Sequence, residues 1–210
     1  MVNNSKISMS VIKRLPRYYR FLGELKKSGI LRISSNELSM RMKLTASQIR
    51  QDLNCFGGFG QQGYGYNVEQ LYNEIGKILG VDRTCKTILV GAGNLGKAIA
   101  SHMSFESRGF SLVGIFDSNP QLVGTSLKDI EILDIDKLTE FCVENKPEVA
   151  VLCIPTSAAS TIVENLINLG VNGFWNFTHF DISGKYPDVT VENVHLNDSL
   201  MTLSYQMKNK

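Results

Sequence analysis

The chain has 210 residues and a formal net charge of +2. Its length suffices for two small domains, each with its own core. No stretch approaches 18 consecutive apolar residues and the first residues lack an apolar signal core, so we expect a cytoplasmic protein without a membrane segment. The four cysteines show no C-x-x-C spacing and no nearby histidine, so the sequence predicts no metal site and no redox motif.

The charge is divided unequally along the chain. Residues 1–80 carry a net charge of +7, and residues 81–210 carry a net charge of −5. A basic lobe beside a mildly acidic one is typical of a protein that meets a polyanion at one end only. The alternative is an ordinary difference in charge between two small domains.

The first 55 residues have the pattern of a helix-turn-helix. Apolar residues recur at helical spacing from Val11 to Leu25, and Pro16 predicts a break with the main helix opening there. Residues 34–37 and 45–48 both have capping-box form, so each is expected to open a short helix. The two short helices are separated by a turn at Lys43 and Leu44, as in a helix-turn-helix.

The second short helix would present small or hydrogen-bonding side chains from residues 46–51, which a major groove can accept, and Arg50 can fork onto a guanine. A solvated helix face is the alternative for each of these residues. The glycine-rich, aromatic segment 57–66 predicts a β-hairpin, the wing of a winged helix, in which Tyr64 could touch a DNA backbone. A plain glycine-rich connector is the alternative. A helix at about 69–79 and a linker at 80–84 would complete the lobe.

The most informative motif is the G-x-G-x-x-G of Gly91, Gly93 and Gly96, which follows an apolar run and precedes helix-forming residues. This arrangement predicts a strand–turn–helix that holds a pyrophosphate at the helix N-terminus. Asp117 ends the next β-rich run, 21 residues after Gly96. An acid there accepts hydrogen bonds from the adenosine ribose, which favours NAD(H) over NADP(H). Another nucleotide-like ligand, or a fold without a ligand, is the alternative.

Further strands are expected at 148–154, 172–178 and 189–194, with a helix at 157–169, which predicts an open parallel sheet. The polar end of the strand at 172–178 would meet the ligand. The tail is an amphipathic helix whose apolar stripe includes Leu196 and Leu200. This stripe must be buried against its own domain or against a partner.

Catalytic chemistry is not evident in the sequence. The chain has three histidines and no residues left over for a substrate domain. A minimal oxidoreductase needs a proton donor and a substrate pocket, so a bound cofactor without either suggests a sensor rather than an enzyme.

Taken together, these segments resemble the Rex family of redox-sensing transcriptional repressors over essentially the whole chain. The matching stretches are residues 13–22, 34–39, 49–52, 63–68, 91–96 and 176–178. The resemblance implies an α/β protein with a winged-helix DNA-binding domain at 1–80, a Rossmann-like doubly wound parallel sheet at 85–194 and a domain-swapped C-terminal helix at 195–210. It also implies a homodimer that binds palindromic operator DNA and leaves it when NADH replaces NAD+.

The site residues expected from the motifs and the resemblance fall into three groups, with no catalytic residue and no metal ligand. The DNA-binding group is Arg14, Arg17, Ser47, Gln48, Arg50, Gln51, Gln61, Gln62 and Tyr64. The NAD(H)-binding group is Gly91, Ala92, Gly93, Asn94, Leu95, Gly96, Asp117, Ile154, Pro155, Thr156, Asn176, Phe177 and Thr178. The group expected at the dimer contact that switches with the cofactor is His102, His195 and Leu196.

The chain departs from the family pattern at five of these positions. The family usually has basic residues in place of Gln51, Gln61 and Gln62, and their loss would weaken DNA binding and flatten its salt dependence. His102 stands where a tyrosine is common and His195 where an aspartate is common, so the switch could be altered or made sensitive to pH. These departures leave an alternative function, a divergent paralogue that binds nucleotide but recognises DNA poorly.

Overall fold

The computed structural model describes residues 7–57, 59–61 and 64–209, and the chain divides into two compact units between Asp82 and Arg83. Within these described ranges, no helix is long and apolar enough to cross a membrane. Gln62, expected at the wing, lies outside the described residues.

The described part of the N-terminal unit forms five helices and a small antiparallel sheet. Its elements in chain order are α1 (Met9–Ile12), α2 (Leu15–Lys27), β1 (Arg32–Ile33), α3 (Ser35–Met42), α4 (Ala46–Asn54), β2 (Gly60–Gln61), β3 (Gly65–Asn67) and α5 (Val68–Leu79). The strand order is β1-β3-β2, and β2 pairs with β3 as the expected hairpin. Pro16 lies in the first turn of α2, as the sequence predicts.

Local capping accounts for the α3–α4 pair. Ser34 and Glu37 form a complete capping box at the start of α3, and Lys43 adopts a left-handed conformation that ends this helix. Thr45 accepts a hydrogen bond from the backbone N–H of Gln48, as a capping box requires. The prediction that the Gln48 side chain bonds back to the Thr45 backbone is wrong, because this side chain donates to Asp52 instead. Leu38 and Ile49 are fully buried in the core that joins these helices to α2 and α5.

The C-terminal unit is a seven-stranded sheet with helices between its strands. Its elements are β4 (Cys85–Val90), α6 (Asn94–His102), β5 (Phe110–Asp117), β6 (Ser126–Leu127), β7 (Ile130–Asp134), α7 (Leu138–Asn145), β8 (Val149–Leu152), α8 (Thr156–Asn168), β9 (Gly173–Asn176), α9 (Ile182–Lys185), β10 (Thr190–Asn193) and α10 (Leu196–Lys208), with short 3-10 turns at Glu106–Arg108 and Ile135–Lys137.

The strand order β10-β9-β8-β4-β5-β7-β6 makes this a doubly wound sheet that is parallel except for β6. The order in which strands are added to the sheet reverses between β4 and β8, because β5, β7 and β6 follow on one side of β4 and β8, β9 and β10 on the other. Ligands bind at such a point in open α/β sheets. Side chains of β4 alternate between two cores: Ile88 and Val90 face one cluster and Leu89 faces the other. The predicted Rossmann-like architecture is therefore confirmed.

The last helix, α10, has no buried residue in the single chain. Its exposed apolar side chains include the whole predicted stripe, Leu196, Leu200, Leu203 and Met207, and also Met201 and Tyr205. The sequence left two alternatives for this stripe, burial against its own domain or burial against a partner. Within the single chain the stripe is not buried against its own domain.

Candidate functional site

The turn between β4 and α6 requires glycine at two of its three motif positions. Gly91 has a φ of +96°, and an added Cβ there would come within 2.9 Å of Ile154 Cγ2 and press on the Cys153 carbonyl. An added Cβ at Gly96 would clash with the Gly91 carbonyl oxygen and lie 3.2 Å from Leu89 Cδ2. The absence of a side chain at Gly96 therefore lets the helix lie close to the strand, which is the packing role expected of this glycine.

Gly93 differs from its neighbours because an added Cβ would meet nothing within 4 Å. It is the N-cap of α6 and makes no side-chain capping hydrogen bond. An uncapped helix start presents backbone N–H groups and the positive end of the helix dipole, both of which attract a phosphate. The open side of this turn therefore suits a pyrophosphate.

Asp117 lies at the carboxyl end of β5, beside the glycine turn. Its Oδ2 accepts a hydrogen bond from the Ala92 backbone N–H at 2.6 Å, and its Oδ1 accepts one from Asn119 N–H at 2.8 Å. The carboxylate thus supports the turn in addition to its predicted role. Since a carboxylate has about four acceptor positions, two are left for ribose hydroxyls.

The end of β8 contributes a second uncapped helix start. Pro155 is the N-cap of α8 and Thr156 is its first residue, and both are exposed. Cys153, which precedes them, donates its backbone N–H to Val90 at 2.8 Å, and burial raises the pKa of its thiol to about 12. The thiol is therefore protonated at neutral pH and is not a nucleophile.

The polar residues at the end of β9 form hydrogen bonds within the chain. Asn176 is fully buried, and its amide nitrogen donates to the Phe180 carbonyl at 3.1 Å and to Asn193 Oδ1 at 2.8 Å. Its Oδ1 accepts hydrogen bonds from the backbone and the hydroxyl of Thr178 at 3.0 and 2.8 Å. These side chains connect β9 to β10, while Phe177 packs edge-on against Trp175 at 4.8 Å. Their cofactor contacts stay a prediction.

The described residues contain no group of three or more His, Cys, Asp or Glu side chains that could hold a metal ion.

The proposed DNA-binding face of α4 is largely exposed. Ser47, Arg50 and Gln51 are exposed, and Gln48 is partly buried. Arg50 Nη1 donates to Ser35 Oγ at 3.0 Å, which holds the guanidinium beside the start of α3. The exposure of these side chains fits the predicted recognition helix, and their contacts with bases stay a prediction.

A buried carboxylate one turn after Gln48 on α4 is a feature that the sequence did not indicate. Asp52 is 1% exposed, and its oxygens accept hydrogen bonds from Arg14 Nε and Nη2 at 2.7 Å, Tyr18 Oη at 2.9 Å and Gln48 Nε2 at 2.8 Å. Burial favours a higher pKa for Asp52, but the hydrogen bonds outweigh it and the pKa lies below its ordinary value. Burial and the bond to Asp52 raise the pKa of Tyr18.

The two arginines of the predicted DNA-binding group on α2 and just before it have intramolecular partners. Arg14 forms the ion pair with Asp52, and its side chain is 28% exposed. Arg17 Nη2 donates to the backbone oxygen of Met42. Both arginines therefore help to hold α3 and α4 against α2, whether or not they also contact phosphates.

The two tyrosines of the wing hairpin differ in exposure. Tyr64 is 69% exposed and Tyr66 is buried in the core. Arg32 Nη1 donates to the Tyr64 carbonyl at 3.2 Å, and its guanidinium lies 6.0 Å from the Tyr64 ring centroid. Gln61 is the last residue of β2, opposite Gly65.

The two histidines expected at the subunit contact, His102 and His195, lie at the ends of two different helices. His102 is the exposed last residue of α6. His195 is the N-cap of α10, and its ring centroid lies 5.2 Å from that of His179. Its Nδ1 is 3.8 Å from Asp198 Oδ2. His179 is thus a neighbour that the sequence did not indicate, and a contact of His102 with His195 between subunits stays a prediction.

A helix-turn-helix unit with a wing, followed by a doubly wound nucleotide-binding sheet, defines a ligand-responsive DNA-binding regulator. Comparisons with known proteins agree. A family model described as "Putative DNA-binding protein N-terminus" matches residues 6–54, and one described as "CoA binding domain" matches residues 82–180.

The chain belongs to the Rex family of redox-sensing transcriptional repressors. It is 55% identical to the Rex repressor of Thermoanaerobacter pseudethanolicus over 99% of this chain and 92% of that protein. It is 53% identical to the Rex repressor of Clostridioides difficile over 99% of each chain. The family consists of non-enzymatic DNA-binding regulators, which confirms the interpretation as a sensor rather than an oxidoreductase.

Solved structures give the same result. The chain is similar to RSP, a Rex-family repressor, in complex with β-NAD+ and operator DNA, with a TM-score of 0.89 and 54% identity over 98% of this chain and 94% of that one. It is also similar to RSP in complex with β-NADH, with a TM-score of 0.88 and 50% identity over 98% and 96% of the two chains. The predicted family and the predicted fold of the two units are confirmed, and the swap of α10 between subunits stays a prediction.

Proposed function

We propose that this chain binds a palindromic operator as a homodimer and releases the DNA when NADH occupies its Rossmann-like unit. The protein would thereby repress transcription at a low NADH/NAD+ ratio, and we place it in the cytoplasm. The observation that carries this proposal is the similarity over 98% of the chain to a repressor solved both with NAD+ and operator DNA and with NADH. Nothing in the comparisons favours the alternative of a divergent paralogue.

The glycine turn supplies the first part of the proposed cofactor site. Backbone N–H groups at the start of α6 would hold the pyrophosphate beside Gly93, where the structure leaves space. Asp117 would accept the ribose hydroxyls and repel a 2′-phosphate, so NAD(H) is favoured over NADP(H). The bound nicotinamide would supply only a redox-dependent shape and charge, and no hydride transfer is part of this function.

The proposed domains are residues 1–80, 85–194 and 195–210, and the division of the chain between Asp82 and Arg83 supports the first of these boundaries. The exposed apolar stripe of α10 supports a homodimer in which this helix is buried by the second subunit, because such a stripe is costly in water. His102, His195 and Leu196 would lie at or near this contact. Two α4 helices in one dimer would then enter successive major grooves about 34 Å apart.

Calorimetric titration of NADH and NAD+, with and without a palindromic duplex, tests the proposal. Binding linkage is reciprocal, so a cofactor that expels DNA must bind less tightly when DNA is present. We expect NADH affinity to fall in the presence of the duplex and NAD+ affinity to change little. Equal DNA affinity under both cofactors would contradict redox sensing. Nanomolar operator binding at about 150 mM salt would argue further against a divergent paralogue.

A further inference from the structure

The hydrogen bonds of Asp52 use its whole carboxylate. Oδ1 accepts from Arg14 Nη2 and Gln48 Nε2, and Oδ2 accepts from Arg14 Nε and Tyr18 Oη. A carboxylate has about four acceptor positions, so none is left for another donor. Asp52 belongs to α4, but it is held in place by Tyr18 of α2 and by Arg14, the residue just before α2.

This fixed carboxylate determines the orientation of the Gln48 amide. An ionised carboxylate only accepts hydrogen bonds, so the NH2 group of Gln48 must point toward Asp52. The two ends of a glutamine amide are otherwise interchangeable in shape. Gln48 lies in the first turn of α4 and is only partly buried, which leaves its Oε1 as the acceptor available away from Asp52.

We propose that Asp52 is a positioning residue for DNA recognition, which fixes Gln48 as an acceptor that selects a base with an exocyclic amine. This inference rests on the proposed operator binding through α4. In the major groove adenine N6 and cytosine N4 are donors, whereas guanine O6 and thymine O4 are acceptors. One position of each half-site should therefore favour adenine or cytosine on the strand that Gln48 contacts.

Asp52 also limits the charge that the surface offers to DNA. Its ion pair neutralises Arg14, whose side chain is 28% exposed. Without the carboxylate, the Arg14 guanidinium would be free to contact a phosphate, which makes binding more salt-dependent but adds no sequence information. Loss of Asp52 should thus reduce sequence selectivity and at the same time raise the affinity for non-specific DNA. A loosened fold would not produce these two opposite effects together.

The test is selection from a library of palindromic duplexes randomised in each half-site, with the full-length chain and its Asp52→Asn variant. The side-chain amide of the variant offers both a donor and an acceptor in place of the carboxylate, so the Gln48 amide is free to turn. We expect the variant to accept guanine and thymine at one position where the parent discriminates by roughly 2- to 10-fold, the value of one hydrogen bond. The salt slope on non-specific DNA should steepen by up to about 0.9 per subunit.

Two further variants separate positioning from stability. Gln48→Ala leaves the Arg14–Asp52 pair intact and should lose the same base preference at the same position. Tyr18→Phe removes one donor to Oδ2 without touching the Gln48 bond, so it should reduce stability but leave the selected half-site unchanged. Thermal melting of each variant monitors the fold.

The outcomes distinguish this inference from the proposed function. Parental selectivity in both Asp52→Asn and Gln48→Ala would overturn the positioning role while leaving operator binding intact. Uniform weakening on all sequences by Asp52→Asn, with a parental profile for Gln48→Ala, would show that Asp52 is only structural. If the parent selects no half-site at all, operator binding itself fails and this inference fails with it.

Discussion

The substitution Gly93→Ala should separate cofactor binding from folding. Gly93 has φ −64° and ψ −170°, which is extended backbone that alanine adopts without strain. Its added Cβ would meet no atom within 4 Å. The free energy of unfolding should therefore change by no more than about 0.5 kcal/mol, as for other unconstrained surface sites.

NADH affinity should respond strongly to the same methyl group. In the proposed complex the Gly93 backbone approaches the pyrophosphate, so the new Cβ would stand between them. Overpacking of a close contact costs about 1–3 kcal/mol. This range corresponds to NADH binding that is roughly 5- to 150-fold weaker.

Calorimetric titration of NADH and differential scanning calorimetry together provide the assay. Gly96→Ala is the matched control, because its Cβ would clash with the Gly91 carbonyl and reduce both stability and NADH binding. Parental NADH affinity in Gly93→Ala would refute the placement of the pyrophosphate over this residue. A lowered melting temperature in that variant would refute the open space around it.

Four further predictions concern other parts of the chain. Asp52→Asn should lower the free energy of unfolding by about 3 kcal/mol at pH 7, measured by urea titration. Because the pKa of Asp52 is lower in the folded than in the unfolded chain, this loss should persist above about pH 4 and shrink as the pH falls through the folded pKa. Asn176→Ala removes a buried amide with four hydrogen bonds and should cost about 1–3 kcal/mol, measured as a lower melting temperature. Cys55 is exposed, so it should react rapidly with a thiol reagent at pH 8 while Cys153, with its pKa raised to about 12, reacts slowly. Leu200→Asp on α10 should shift the sedimentation of a dimer toward that of a monomer, because a charge replaces part of the exposed apolar stripe.

Each of these predictions has an outcome that contradicts it. An Asp52→Asn penalty that grows below pH 4 would reverse the sign of the linkage, and an unchanged melting temperature for Asn176→Ala would show that its network contributes nothing. A fast thiol phase that survives Cys55→Ser would assign the reactivity to another cysteine. Unchanged sedimentation of Leu200→Asp would remove α10 from the dimer contact.

The sequence was most informative where function depends on local backbone geometry. Gly91 and Gly96 have a spacing that only a tight turn and close helix packing require, so the cofactor turn could be predicted without knowing its neighbours. The capping box of Ser34 and Glu37 is equally local. The apolar stripe of α10 was also visible, because its period is that of a helix.

Polar side chains whose partners are distant in the sequence could not be assigned in the same way. The second capping box was predicted from the spacing of Thr45 and Gln48, but Asp52 competes for the same amide. Asp52 itself looks like an ordinary exposed acid on a polar helix, and its burial depends on Arg14, 38 residues earlier. Similarly, nothing local in the sequence indicates that the Asn176 amide donates to Asn193, 17 residues later.

The sequence by itself determined the two-unit organisation, the glycine turn and the exposed faces of α4 and α10, because periodicity and backbone requirements are properties of neighbouring residues. Only the tertiary structure decided which polar groups remain free to meet a ligand. A hydrogen-bonding side chain has the same appearance in a sequence whether its partner is a base, a cofactor or a buried residue of another helix, and folding alone brings that partner within about 3 Å.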